Sequence, residues 1–280
     1  MAMGGNPVFS NPNVFRNQPQ SSANAGAGML AGQSQMSSEQ LQDLYNQPSA
    51  GPAQTGRMTY DDVIMKTLAC LALVLAGAAV GWMVPALMIP GMLVGLVLGL
   101  VNAFKKEPSK GLILTYAAAE GLFVGGLSAV LDGMFPGIAT QAVLGTVCVF
   151  AVTLALFKSG KVRATPKAMK FFMIAIIGYA VFSLVNLGLT MFGVMDNPWG
   201  IRGADIPGTN IPWGVVIGLF AIGLAAFSLI MDFTSIEEGV RQCVDRKYSW
   251  TAAFGLTVTL VWLYVEILRL LAILRAVAED

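Results

Sequence analysis

The chain has 280 residues, of which 55% are hydrophobic and only 12% charged, with 17 Lys and Arg set against 16 Asp and Glu. A soluble domain carries about 25% charged side chains, and surface-to-volume scaling leaves a water-borne globule no way to hide so much apolar material. The solvent for most of this chain is therefore lipid, which excludes a water-soluble enzyme; no nucleic-acid partner is expected.

Met1 to about Gly56 is a low-complexity stretch rich in Asn, Gln, Ser, Gly, Ala and Pro. Such a composition cannot bury enough apolar area to offset its ordering entropy. Residues 1–57 are accordingly expected to form a disordered cytoplasmic tail ahead of a membrane domain over 58–280. The tail has no charged region followed by an apolar one, so no cleavable signal peptide is expected.

Thr59 suits an N-cap, and Asp61 and Asp62 suit the first turn of a helix. The first span is expected over about Val63 to Val84, with Pro85 and Pro90 bracketing a tight turn. The second covers about Met92 to Phe104, with a start as early as Leu87. The third runs from Gly111 to Leu131, the fourth from Ile138 to Phe157 and the fifth from Phe171 to Val194. The sixth starts near Pro212 and stays apolar to Met231, and the seventh runs from Trp250 to Leu274. The full-length segments each meet the roughly 20 residues needed to cross a ~30 Å hydrocarbon layer. The predicted fold is an all-α integral membrane protein, a bundle of seven transmembrane helices.

The connections set an orientation. Lys105, Lys106 and Lys110 follow the second span, Lys158, Lys161, Arg163, Lys167 and Lys170 the fourth, and Arg241, Arg246 and Lys247 the sixth. The opposite loops hold Asp132, Asp196 and Asp205, with Arg202 as their one base. By the positive-inside rule the tail and the basic loops are cytoplasmic and the C-terminus lies outside. Trp82, Trp199, Trp213 and Trp250 fall near the predicted helix ends, where amphipathic rings sit at a membrane border.

No His is present, which removes the usual zinc and haem ligands and the Ser-His-Asp triad. Cys70, Cys148 and Cys243 have no close spacing, so neither a disulfide framework nor a CxxC site is expected. The chemistry then falls to three acids in or against the spans: Glu120, Asp232 and Glu266. Intramembrane carboxylates cost about 2.5–3.5 kcal/mol on insertion scales and normally face an interior or a water path. If the sixth and seventh spans form an antiparallel hairpin turning near Ser249, Asp232 and Glu266 share one level. Two carboxylates that close cannot both ionise comfortably, so the pair is expected to share a proton near neutral pH. Arg269, one turn beyond Glu266, stands on its face of the helix. The run Glu120-Gly-Leu-Phe-Val-Gly-Gly-Leu-Ser128 is expected to permit close helix packing. Asn102, Ser183 and Asn186 are expected as polar contacts between helices.

The seven spans, the Tyr60-Asp61-Asp62 start, the Val84-Pro85 turn and the Gly-rich third span resemble the Bax inhibitor family of membrane proteins, including its bacterial YccA-like and YetJ-like branches. The most specific matches are Ser228-Leu-Ile-Met-Asp232 and Leu263-Tyr-Val-Glu-Ile-Leu268, and the resemblance covers about Met58 to Leu274. The Asn- and Gln-rich tail looks like that of actinobacterial members. The resemblance implies seven helices around a central one, a pH-sensitive calcium leak and a pair of acids acting as the pH sensor. Asp232 would be the first acid and Glu266 the second, a Glu where the family has Asp. The family's basic partner at the end of the second helix would fall to Lys105 or Lys106. An acid in the second helix of leak-active members has no counterpart here, and Glu120 is the candidate replacement.

The leading expectation is a cation leak channel or transporter-like protein of the bacterial inner membrane. It would have no resident cofactor, and calcium would be the ion moved or held at Asp232 and Glu266 by hard oxygen ligands. A second reading is a non-conducting regulator that binds other membrane proteins, such as a membrane-anchored protease. A third, an intramembrane aspartyl-type hydrolase, is disfavoured because the second acid is Glu and no Gly-x-Gly-Asp context surrounds it.

Overall fold

The computed structural model describes residues 56–160, 165–195, 197 and 199–279. Residues 1–55 of the expected tail, Lys161, Arg163 and Asp196 lie outside the described residues. Among those described, seven helices are long and apolar enough to cross a membrane. They are α1 (Tyr60–Met83), α2 (Met88–Phe104), α3 (Lys110–Met134), α4 (Ile138–Lys158), α5 (Pro166–Met191), α6 (Trp213–Arg241) and α7 (Ser249–Glu279). Short 3-10 turns at Pro85–Leu87, Gly200–Gly203 and Arg246–Tyr248 complete the connections.

Local chemistry explains the boundaries. Thr59 caps α1, its Oγ1 accepting from the Asp62 amide at 3.1 Å. α2 starts at Met88, beside the early start allowed at Leu87 and ahead of Met92, because a proline in the first helical turn blocks no hydrogen bond and Pro90 stands there. α5 starts five residues before Phe171: Thr165 accepts from the Ala168 amide at 3.3 Å and Pro166 fixes the first helical φ. Lys167 and Lys170 therefore ride on the first turns of α5. Gly137, with φ +83°, turns the chain into α4, and Asp132 Oδ1 accepts from the Gly137 and Ala139 amides at 3.1 and 3.2 Å. Trp82, Trp213 and Trp250 all lie within a turn of a helix end, and Trp199 just precedes a 3-10 turn.

α7 is the most buried span and packs on α6, α1, α4 and α3. α1 and α3 form the most extensive helix pair. Their approach depends on glycine: a Cβ on Gly77 would stand 2.5 Å from the Ala118 carbonyl oxygen, and one on Gly125 would collide with that of Ala78. Small residues of this kind let backbones approach in lipid, as the third-span glycine run predicts. α5 is the least buried span, and Ile174, Val181 and Leu184 on it are exposed apolar side chains.

One end of the bundle is laced together. Arg57 pairs antiparallel with Asp245, the Met58 amide donates to the Val244 carbonyl at 2.8 Å, and the Arg246 amide donates to the Gly56 carbonyl at 2.8 Å. Arg246 also grips Asp62 Oδ1 through Nε at 2.9 Å and Nη2 at 2.6 Å. Lys247 Nζ reaches Glu107 Oε1 at 2.8 Å, and that contact holds the loop carboxyl of Glu107 below its usual range. Lys105, Lys106, Arg246 and Lys247 stand in the connections following α2 and α6, so this is the basic end.

Candidate functional site

The deepest charge on α7 is Glu266, whose side chain is 3% exposed. Trp262 Nε1, one turn earlier, donates to its Oε1 at 3.3 Å, and Arg269 Nη1 donates to the same oxygen at 2.9 Å. Arg269 is thus placed by its helical spacing. The remaining partners come from elsewhere in the chain. Arg202, 4% exposed, brings Nη1 to 3.5 Å from Glu266 Oε2. Its Nη2 donates to the Tyr179 hydroxyl at 2.8 Å and to Ser183 Oγ at 3.1 Å. The Tyr179 hydroxyl in turn donates to Glu266 Oε1. The Arg202 guanidinium also lies 5.3 Å from the Tyr179 ring centroid and 5.5 Å from that of Phe182.

The segment that delivers Arg202 is pinned to α5. Asn186 Oδ1 accepts from the Ile201 amide at 2.7 Å, and its Nδ2 donates to the Trp199 carbonyl at 3.2 Å. Gly200 has φ +59°, and a Cβ there would stand 2.5 Å from Asn186 Oδ1. The result is a polar cluster that ties α5, the α5–α6 connection and α7 at one level, with a carboxylate whose charge is matched by two guanidinium groups.

Asp232 stands apart. Thr259 Oγ1 donates to Asp232 Oδ2 at 2.8 Å, and Ser228 Oγ lies 3.4 Å from Thr259 Oγ1. The structure therefore does not bring Asp232 and Glu266 together. α6 ends at Arg241 and α7 begins at Ser249, so the hairpin is centred on Asp245 and not on Ser249. Asp232 consequently faces Thr259, and Glu266 lies seven residues further on, about 10 Å along the axis. A proton or calcium ion held directly between the two carboxylates does not fit this geometry. Among the described residues no group of three or more acids, His or Cys is placed to hold a metal.

Lys105 and Lys106 are exposed between α2 and α3, and among the described residues no ion pair joins either to Asp232. Glu120 is a third, separate acid. It projects from α3 against the glycine face of α2, where a Cβ on Gly95 would meet its Oε1 at 2.9 Å, and Tyr116 lies one turn before it against Gly99. Of the polar residues read as interhelical contacts, Ser183 and Asn186 serve the cluster, while Asn102 Nδ2 turns back to the Leu98 carbonyl at 2.9 Å.

Sequence reasoning missed Arg202, Tyr179, Trp262 and Thr259 as partners. The available signal was Arg202 itself, the one base among the acidic loops, set between Gly200 and Gly203.

Fold and cluster together define a polytopic seven-helix membrane protein with a buried ion-pair network on its most buried helix. A family model described as Bax inhibitor 1 like matches residues 6–276, and the chain belongs to that family. No curated protein matches the chain.

Proposed function

We propose that this protein is a pH-sensitive cation leak or transporter-like protein of a bacterial inner membrane, with the basic end cytoplasmic and calcium as its cargo. Asp232 and Glu266 gate it in separate roles. The observation that carries this reading is the contrast between their partners. Glu266 is matched by Arg202 and Arg269, whereas Asp232 is met by a neutral hydroxyl and, among the described residues, by no cation.

A carboxylate without a counter-charge in a bundle interior is matched by a proton or a hard cation, so Asp232 is the group that exchanges one for the other. Glu266 acts as a latch. It holds the α5–α6 connection and α5 against α7, and α5 has little other packing to keep it in place. Releasing the latch frees α5 to move and widens the bundle on that side.

Calcium flux into dye-loaded proteoliposomes, followed across acidic to mildly alkaline pH, tests this. Asp232→Asn is expected to flatten the pH response. Glu266→Gln is expected to raise flux at every pH while leaving a pH response. Unchanged flux profiles in both variants would sink the mechanism.

The sparse packing of α5 also favours a second reading, a non-conducting regulator whose exposed α5 face seats another membrane protein, such as a membrane-anchored protease. Absence of flux in the wild type, with partner capture lost on placing charges along Ile174, Val181 and Leu184, would select that reading.

A further inference from the structure

α1 and α4 both pack on α7 but hardly on each other. The gap between them is a crevice of about 670 Å³, floored by α6 and α7. Leu68 and Leu75 of α1 and Val143, Val147 and Leu154 of α4 line it and are themselves exposed. The crevice therefore opens sideways, onto the face that two membrane spans turn to the bilayer. Its α1 wall runs from Tyr60 to Leu75, about 22 Å at 1.5 Å per residue. One leaflet supplies about half of a ~30 Å hydrocarbon core, so an acyl chain entering at the basic end fits with room to spare.

Charge at the mouth fits the headgroup of a lipid that carries such a chain. Arg57 precedes α1, and Lys158 ends α4 beside the lining residue Phe157. Both are exposed, and neither has an ion pair among the described residues.

We infer that the crevice between α1 and α4 binds one glycerophospholipid of the leaflet at the basic end, its acyl chain along α1. The phosphate lies towards Arg57 and Lys158. Asp61, exposed in the first turn of α1, disfavours further negative charge, so the headgroup is zwitterionic. This site is independent of whether the protein conducts ions.

Native mass spectrometry of the delipidated full-length protein tests it, with phosphatidylethanolamine or palmitate added back. One phosphatidylethanolamine molecule is expected to bind with defined stoichiometry. Val147→Trp and Leu154→Trp, which fill the crevice at two heights, are expected to weaken that binding about tenfold or more. Val185→Trp on the exposed face of α5 should leave it intact. Adducts undiminished in both crevice-filling variants, a preference for palmitate, or no single-lipid adduct would each overturn the assignment.

Discussion

Arg202 shows how much a single side chain in a loop can be asked to do. It leaves the α5–α6 connection, buries its guanidinium and meets Glu266 and Tyr179, while its own backbone segment hangs from Asn186. Removing one partner of a buried pair strands the other charge, at a cost of about 3–5 kcal/mol, whereas replacing both with apolar groups is often neutral. Arg202→Met leaves Glu266 with Arg269 as its one remaining cation and is expected to lower the melting temperature in detergent, and Arg202→Met with Glu266→Leu to recover most of the loss. A double variant as unstable as the single one would place the cost elsewhere than in the half-matched carboxylate. Only part of this cluster could be read in advance. Arg269 follows from its position three residues past Glu266 on one helix face. Arg202 lies 64 positions from Glu266, and its approach depends on how a glycine-flanked loop folds back, which no local pattern records.

Among the elements, α1 and α3 are brought into contact between backbones, with side chains such as Val74 and Val124 packed in one cluster beside the contact. Gly77, Gly81, Gly121 and Gly125 each stand where a Cβ would meet main-chain atoms of the facing helix. Gly125→Leu must push the helices apart, and overpacking of this kind costs about 1–3 kcal/mol or more. Gly133, on the same helix but facing open space, provides the control. Gly133→Ala is expected to be neutral or stabilising by up to about 1 kcal/mol, since alanine is the better helix former. Thermal unfolding of the two variants should separate in opposite directions; equal shifts would refute a packing role for the stripe. The spans themselves were legible from apolar run length, because lipid penalises every unpaired backbone group and leaves the helix as the solution. The level of Asp232 was not legible. Placing the hairpin turn at Ser249 takes the residue midway between Asp232 and Glu266 as the centre of the connection. The strand pairing at Val244 and Asp245 and the 3-10 turn at Arg246–Tyr248 shift its centre to Asp245, which trades Glu266 for Thr259 as the facing residue.

For the molecule as a whole, the lacing of Gly56, Arg57 and Met58 to the α6–α7 connection gathers the first span and the last hairpin at the basic end. That end also holds Cys243, exposed and free, as a natural reporter of sidedness. With Cys70 and Cys148 replaced by alanine, a membrane-impermeant maleimide is expected to label Cys243 in inverted vesicles and not in intact cells. Labelling in intact cells would reverse the orientation inferred from the basic loops. The place of α7 has a consequence for how the protein is made. Synthesis and membrane insertion run from the N-terminus, so six helices are delivered before the helix that most of them pack against exists. Until residue 249 and those after it leave the ribosome, α1, α3, α4 and α6 lack the helix they share as a partner. A premature stop late in the coding sequence would therefore remove the centre of the fold and not its edge.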